Sequence, residues 1–340
     1  MKSKKNITLA DIAKTLDVSK VTVSKALRNH PDISEAKKDL VRQTALKLGY
    51  IPNFMARNLS SKKSYTIGLV VPKVTGDFFP NIINQIYKSA SDLGYEVILA
   101  VSQEKESNEI KHIQTLLAMC VDGLLVSITE ETNDGKIFQV SKDRDVPIVF
   151  FDRIKEDKNF SHVVSDDLMG VYKAVSYIIK SGYKNLAFLG GMKSTNIGEN
   201  RIKGFKKAIN EYKIKKSEVI IVEGGYEEID GYKGMQQLLE IKNKLPEVIF
   251  CVTYPVAVGV MRAVEKLNIS IPKDLNIMSF GGSTYNHFMK PSLSYVKQPI
   301  KEIGERATAK LVDHIKDNKA SIEHIKIPTE IIIRDTCIKR

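Results

Sequence analysis

From Tyr65 onward the chain alternates short apolar runs with longer amphipathic stretches, a pattern that restricts the possible folds more than any other in the sequence. Strand-like runs stand at Thr66 to Val71, Tyr95 to Val101, Gly123 to Ser127, Pro147 to Phe151, Leu186 to Leu189, Val219 to Val222, Val248 to Val252 and Ile277 to Phe280, and Phe78 to Leu93 has helical spacing. Strands alternating with helices imply βα units, and hence parallel sheets covered on both faces. Eight such strands between Tyr65 and Arg340 exceed one compact sheet, so two doubly wound lobes are expected. Ligands in such folds bind outside the carboxyl ends of the strands.

The preceding 64 residues are of a different kind. They carry fourteen Lys and Arg against five acids, a net +9, whereas the other 276 residues share only +3 of the chain's +12. A charge this lopsided suggests a polyanion partner for one end of the molecule. A solvated basic arm is the plain alternative, and the apolar spacing inside the segment opposes it. Thr8, with Asp11 at the third helical position, reads as the cap of a helix that places Leu9, Ile12, Ala13 and Leu16 on one face. Asp17 and Val18 make a turn, and Ser19 caps a second helix with Val23, Ala26 and Leu27 inward. Ser34 is expected to cap a third helix, whose Leu40, Val41, Ala45 and Leu48 close the small core before Gly49. A second helix entering a major groove by its N-terminus would bring Lys20, Val21, Thr22, Ser24 and Lys25 to base edges or phosphates. An unrelated three-helix domain is the competing reading.

No run of 18 apolar residues occurs, and the N-terminal MKSKKNITLADIAK has charge without an apolar signal core, so a cytoplasmic protein without a membrane partner is expected. Cys120, Cys251 and Cys337 are odd in number, far apart and set among apolar residues, which suggests buried, reduced thiols. The six His form no HExxH pair, and neither a metal nor a cofactor is expected. Gly pairs at Gly190, Gly224 and Gly281 continue into neither GK[ST] nor a complete GxGxxG, so nucleotide hydrolysis and dinucleotide binding lack support.

The runs ITLADIAKTLDVSKVTVSKALRNHPDIS and LKLGYIPNFMARNLSSKKSYTIGLVVP resemble the LacI/GalR family of bacterial transcription regulators. FFDR at Phe150 to Arg153, SDD at Ser165 to Asp167, RIKGF at Arg201 to Phe205, PSLSYVKQP at Pro291 to Pro299 with IGERA following, and TEIIIRDTC near the end extend the resemblance over nearly the whole chain. Each is short; their order and spacing are specific. The resemblance implies an α/β protein with an all-α helix-turn-helix headpiece at 1–52, a hinge helix and linker at 53–64, and a two-lobed, periplasmic-binding-protein-like core of doubly wound parallel sheets at 65–340. It also implies that Asn53 caps a hinge segment which folds in the minor groove, with Leu59 as the wedge, Ala56 packed beside it and Arg57 nearby. Two positions depart from the family pattern: Asp17 stands where glycine is common, and Lys25 where arginine is common, which leaves a bidentate guanine contact less assured.

Cleft candidates follow from the strand-end rule and the resemblance together. Phe78 and Phe79 follow the first strand, where aromatic faces could stack on a ligand, although such a pair is also common in cores. Asp152 and Arg153 end the strand Pro147 to Phe151, and Arg201 lies near the start of a helix after Gly190 and Gly191. Where relatives often carry Asn-Asp and an acidic residue, this chain has Thr253-Tyr254 and Gly281-Gly282, so Tyr254 and Gly281 join the set. Asp166 is expected to cap a helix rather than to act as an acid or base.

These readings lead to a sequence-specific DNA-binding transcriptional regulator, a repressor controlled by a small-molecule effector. A sugar or sugar derivative is expected ahead of a nucleoside or purine. One headpiece reads one half-site and no heptad tail follows the last strand, so a homodimer on double-stranded operator DNA is expected. A two-lobed solute-binding protein would need an export signal and no headpiece. An α/β enzyme would need a catalytic constellation, and none is found.

Overall fold

The computed structural model describes residues 7–50, 63–155, 157–241 and 245–339. They belong to two compact units, Met1–Ser64 and Tyr65–Arg340.

The first unit holds three helices, α1 (Leu9–Leu16), α2 (Lys20–Leu27) and α3 (Glu35–Leu48). Thr8 starts α1 by donating its backbone N–H and its hydroxyl to Asp11 Oδ2, at 2.8 and 2.7 Å. Asp17 ends it in the left-handed region, φ 49°, a conformation that Asp accepts more readily than most side chains. Ser19 Oγ then accepts the Thr22 N–H at 3.0 Å, so the turn between α1 and α2 is fixed by left-handed backbone on one side and a side-chain cap on the other. Ile12, Ala13, Val23, Ala26, Val41 and Ala45 form the core.

Two expectations about α3 are corrected. Leu40 is 50% exposed, because the inward row is Val41, Ala45 and Leu48 and a neighbouring residue lies about 100° around the helix. Ser34 occupies the cap position in extended backbone but makes no side-chain cap bond. The hinge segment with Asn53, Ala56, Arg57 and Leu59 lies outside the described residues.

The second unit is built on two six-stranded sheets. In the first lobe β2 (Glu96–Val101), β1 (Thr66–Val71), β3 (Gly123–Val126), β4 (Ile148–Phe151), β5 (Ser161–Ser165) and β11 (His324–Ile327) lie side by side, all parallel. In the second, the order is β7 (Val219–Val222), β6 (Leu186–Leu189), β8 (Val248–Cys251), β9 (Asn276–Phe280), β10 (Ser294–Lys297) and β12 (Glu330–Ile332). The central strands are apolar and buried along their whole length, as strands covered on both faces must be.

β5, β10 and β11 have no apolar run to announce them, SHVVS, SYVK and HIKI, whereas β12 falls in TEIIIRDTC, the last strand expected from the sequence. The second sheet is also not wholly parallel, since β12 runs antiparallel to β10. Only Pro328 and Thr329 separate β11 from β12, so the chain steps directly between lobes with no helical crossover to return it parallel. Cys251 and Cys337 are buried as expected, but Cys120 is exposed. It stands in a left-handed turn, φ 58°, between α5 (Glu106–Ala118) and β3.

The chain passes between lobes three times, after β5, after β10 and after β11. Each lobe is otherwise packed from its own helices. In the second, α9 (Glu228–Ile241) and α10 (Tyr254–Lys266) touch backbone to backbone at glycines: a Cβ on Gly259 would fall 1.9 Å from the Glu228 carbonyl oxygen, and one on Gly231 2.0 Å from that of Val256. Neither carbonyl can move without breaking its helix. Gly259→Ala should therefore lower the melting temperature by several degrees, an overpacking cost on the order of 1–3 kcal/mol, in a thermal melt against the parent protein; an unchanged melting point would show that the two helices can separate freely.

Candidate ligand cleft and nucleic-acid interface

Every strand-end candidate named from the sequence lines one cavity between the lobes. Phe78, Phe79, Asp152, Arg153, Arg201, Tyr254 and Gly281 all face it. The first lobe contributes the segment after β1, the start of α4 (Phe78–Asp92), and Asp152 and Arg153 after β4. The second contributes α8 (Asn196–Glu211), the segments after β7 and β8, and Phe280 to Gly282 at the end of β9. Gly281 has φ +81°, so at this point the wall is backbone, in a conformation that a larger side chain would strain.

Sequence reasoning missed Lys73, Asp77, Tyr226, Glu227 and Gln298, which line the same cavity. The strand-end rule covers Lys73, Tyr226 and Gln298, which follow β1, β7 and β10, but no motif marks them.

The polar groups are buried and mostly committed. Arg153, 3% exposed, donates from one nitrogen to both oxygens of Glu104 at 2.8 and 2.9 Å, with Glu130 3.4 Å from the other. Its guanidinium also stands 5.9 Å from the Phe79 ring centre and 5.3 Å from that of Tyr226. Arg201, 2% exposed, donates to the Val252 carbonyl at 2.9 Å and lies 3.4 Å from Asp167, with its guanidinium carbon 3.9 Å from the Phe280 ring centre. The Nε atoms of both arginines are buried without a hydrogen-bond partner among the described residues.

Asp152 is 5% exposed and its backbone is left-handed, φ 57°. Burial pushes its carboxyl up to about 6, against the pull of Arg153 and Arg201. Burial likewise raises Asp167, opposed mainly by Arg201. Asp166 caps α7 (Asp167–Lys180), accepting the Met169 N–H at 3.2 Å, as expected. Its neighbour Asp167, passed over in the sequence, is the one that reaches Arg201.

The lobes are tied directly around this cavity. Asn196 accepts the Ile154 N–H at 3.1 Å and donates to the Asp152 carbonyl at 3.0 Å. The Ser283 hydroxyl donates to Asp77 at 2.6 Å, and the Lys73 ammonium pairs with Glu227. Among the described residues no group of His, Cys, Asp and Glu is arranged to hold a metal ion.

In the first unit, α2 presents an open face. Val21 is 64% exposed, Ser19 and Lys20 are exposed, and Thr22 is half-buried because its N–H and hydroxyl turn to Ser19. Ser24 is engaged by Arg28, whose guanidinium donates to its hydroxyl at 2.9 Å and to its carbonyl at 3.2 Å. Lys25 pairs with Asp32 at 2.8 Å, so its charge is held at the end of the helix rather than free in solution. An exposed apolar residue flanked by lysines at a helix N-terminus suits contact with base edges and phosphates.

Residues 8–53 match the model for bacterial regulatory proteins of the lacI family, and residues 175–337 match a periplasmic binding protein-like domain. The chain is 30% identical over 329 residues to the ribose operon repressor of Halalkalibacterium halodurans, covering 97% of this chain and 96% of that one. It is 28% identical over 334 residues to the probable HTH-type transcriptional repressor ExuR of Bacillus subtilis, covering 97% and 98%. Its fold matches the Lac repressor dimer bound to operator and the anti-inducer ONPF with a TM-score of 0.85, at 21% identity, over 98% of this chain and 100% of that one. With its helix-turn-helix headpiece, its two-lobed core and these relatives over nearly its full length, the chain belongs to the lacI family of bacterial regulatory proteins and is a DNA-binding transcriptional regulator.

Proposed function

We propose that this regulator is a repressor whose grip on operator DNA is set by a sugar or sugar derivative bound between the lobes. The observation that carries the ligand class is the set of buried groups at the cavity. Two arginine Nε–H donors have no protein partner among the described residues, and beside them lies the buried acceptor Asp152. Leaving such groups unmet costs free energy, and a hydroxyl meets both, since it donates to a carboxylate and accepts from a guanidinium. Phe78, Phe79, Tyr226 and Tyr254 supply flat apolar faces for the ring of a sugar. Asp152, Arg153 and Arg201 are the polar contacts in this reading, and Gly281 leaves room where a side chain would stand. The ribose operon repressor among the relatives supports a sugar. A nucleoside or purine is the second reading, favoured by the four aromatic rings.

On the DNA side, Lys20, Val21, Thr22, Ser24 and Lys25 read the major groove, with Thr8 and Ser19 near the backbone. The residues divide into a headpiece at 1–52, a hinge and linker at 53–64 that brings Asn53, Ala56, Arg57 and Leu59 to the minor groove, and the core at 65–340. Two copies bind one operator, as a Lac repressor dimer does in the structure of that protein, and the protein works in the cytoplasm and catalyses no reaction.

Three measurements test this. A thermal-shift screen against sugars, sugar phosphates and nucleobases should show stabilisation by a sugar; stabilisation by nucleobases alone would reverse the order of the two readings. The affinity of that sugar should fall as pH drops below about 6, by about tenfold per unit once Asp152 is protonated, and titration calorimetry at pH 5 and 7.5 reads it. Because the folded-state value lies above the ordinary 3.8, the carboxyl supports the fold most fully in acid and loses that support as pH rises through 6. Asp152→Asn should therefore raise the melting temperature of the ligand-free protein at pH 7.5, less so at pH 5, while abolishing sugar binding.

For DNA, a duplex selected from random sequence should bind with steep salt dependence. Lys20→Ala should weaken binding and lower the slope of log affinity against log salt by about one. Asp32→Ala, which releases Lys25, should strengthen binding in the same anisotropy titration. No change in either variant would argue against α2 as the reading helix.

A further inference from the structure

The cavity between the lobes, about 100 Å³, adjoins a second and larger space of about 610 Å³. Phe78, Gly281, Gly282 and Gln298 line both. Two of these four carry no side chain, so the wall that the spaces share is largely backbone. Neither glycine is incidental. The Tyr295 ring lies against Gly282, where a Cβ would fall 2.6 Å from its Cδ2 and 2.7 Å from its Cε2. Gly281, in the left-handed region, faces Gln298: a Cβ there would meet only that side chain, with Oε1 at 3.0 Å. The second space falls within the roughly 300–1,000 Å³ that sites for small organic ligands enclose.

Its lining describes its occupant. The ionic groups balance: Lys297 and Lys301 stand against Glu302 and Glu330, and Lys297 is already paired with Glu330 at 3.5 Å. The cavity balances too, with Lys73, Arg153 and Arg201 against Asp77, Asp152 and Glu227. Neither space thus offers the surplus of cations that a phosphate or carboxylate group would need. What the second space offers instead is amides and a ring. The side chains of Asn84 and Gln298 make no hydrogen bond among the described residues, and an amide both donates and accepts, as a hydroxyl does. The half-buried Tyr295 supplies an apolar ring beside Gly282. We propose that the second space is a subsite for the second unit of an uncharged disaccharide or glycoside, whose first ring lies in the cavity and whose linkage passes over Gly281 and Gly282. The glycines give the linkage its path, and Gln298, on both linings, is placed to contact both units. This names the ligand class more closely than the sugar reading of the cleft, and it rests on that reading.

Calorimetric titration of the full-length protein tests it. Glucose, galactose, mannose, xylose and ribose are compared with their phosphates, their methyl and phenyl glycosides and the common disaccharides that contain them. The tightest glycoside or disaccharide should bind about ten- to a hundredfold more tightly than its parent monosaccharide, the worth of one or two further hydrogen bonds and a ring contact. It should also bind more tightly than any of the sugar phosphates. Gly281→Asn, an exchange that left-handed backbone accepts, puts a side chain across the shared wall and should cut that advantage to about twofold or less. Asn84→Ala, which removes an amide from the second space alone, should reduce it about three- to tenfold. A monosaccharide or sugar phosphate that binds as tightly as any glycoside, or an advantage intact in both variants, overturns the subsite and leaves the sugar reading standing. Binding by nucleobases alone, or by no sugar, overturns both. Should Gly281→Asn fail to fold, Asn84→Cys carries the test. Its alkylation by iodoacetamide, mapped by mass spectrometry with the exposed Cys120 as reference, should slow with the disaccharide and not with the monosaccharide; equal protection by both overturns the subsite.

Discussion

A parallel sheet places the carboxyl ends of all its strands along one edge, and that constraint organises this protein. Parallel neighbours cannot be joined by a tight turn, so the chain returns by longer crossovers, most of them helical, and the segments leaving the strands gather on one side. Here two such sheets turn those edges toward each other. The cavity is consequently lined by the segments leaving β1, β4, β7, β8, β9 and β10, and by the start of the helix after β6. No single stretch of sequence makes the site: its contributors run from Lys73 to Gln298. The long apolar strands behind, such as Thr66–Val71 with all six residues buried, hold those ends in register.

The same arrangement concentrates charge where water is scarce. Arg153 and Arg201 are both nearly inaccessible, and each is matched by carboxylates from a different element, Glu104 and Glu130 for one and Asp167 for the other. Buried ion pairs add little net stability against an apolar substitute, but removing one partner leaves an uncompensated charge at high cost. Asp152 shows the strain most directly, since burial pushes its carboxyl up to about 6 even beside two arginines. A backbone in the left-handed region holds it there, an unfavourable conformation that the surrounding sheet over-determines.

The fold was legible wherever the residues repeat a period. The apolar strands Thr66–Val71, Leu186–Leu189 and Val219–Val222 and the caps Thr8, Ser19 and Asp166 were all marked in the sequence, because burial on both faces and hydrogen bonding at a helix start each demand particular residue types. The strands β5 and β11, beside and at one sheet edge, were not, since pairing there is made by backbone and needs no apolar run. Leu40 was misplaced for a related reason: in α3 two adjacent apolar residues compete for one inward position, and tertiary packing chose Val41. Of the cleft, the strand-end residues were visible one by one. Their pairings were not, because Lys73 and Glu227 are 154 residues apart, and Arg201 and Asp167 are 34 apart and on different helices. Nothing local records that they meet.

Two of the three passages between lobes are wired into the cavity wall. Asp167 opens the helix after the first passage and is bonded to Arg201, and Gln298, in the second passage, lines the cavity itself. A hinge that lay apart from its ligand would feel only the closing of the lobes. Here Arg201, on the cavity wall, is bonded to Asp167 beside the first passage between the lobes, so a ligand that drew on Arg201 would also change what restrains that passage. Differential contact of this kind is what a ligand needs in order to shift a conformational equilibrium. Arg201 with Asp167 and Lys73 with Glu227 thus join different elements at separate points around one cavity.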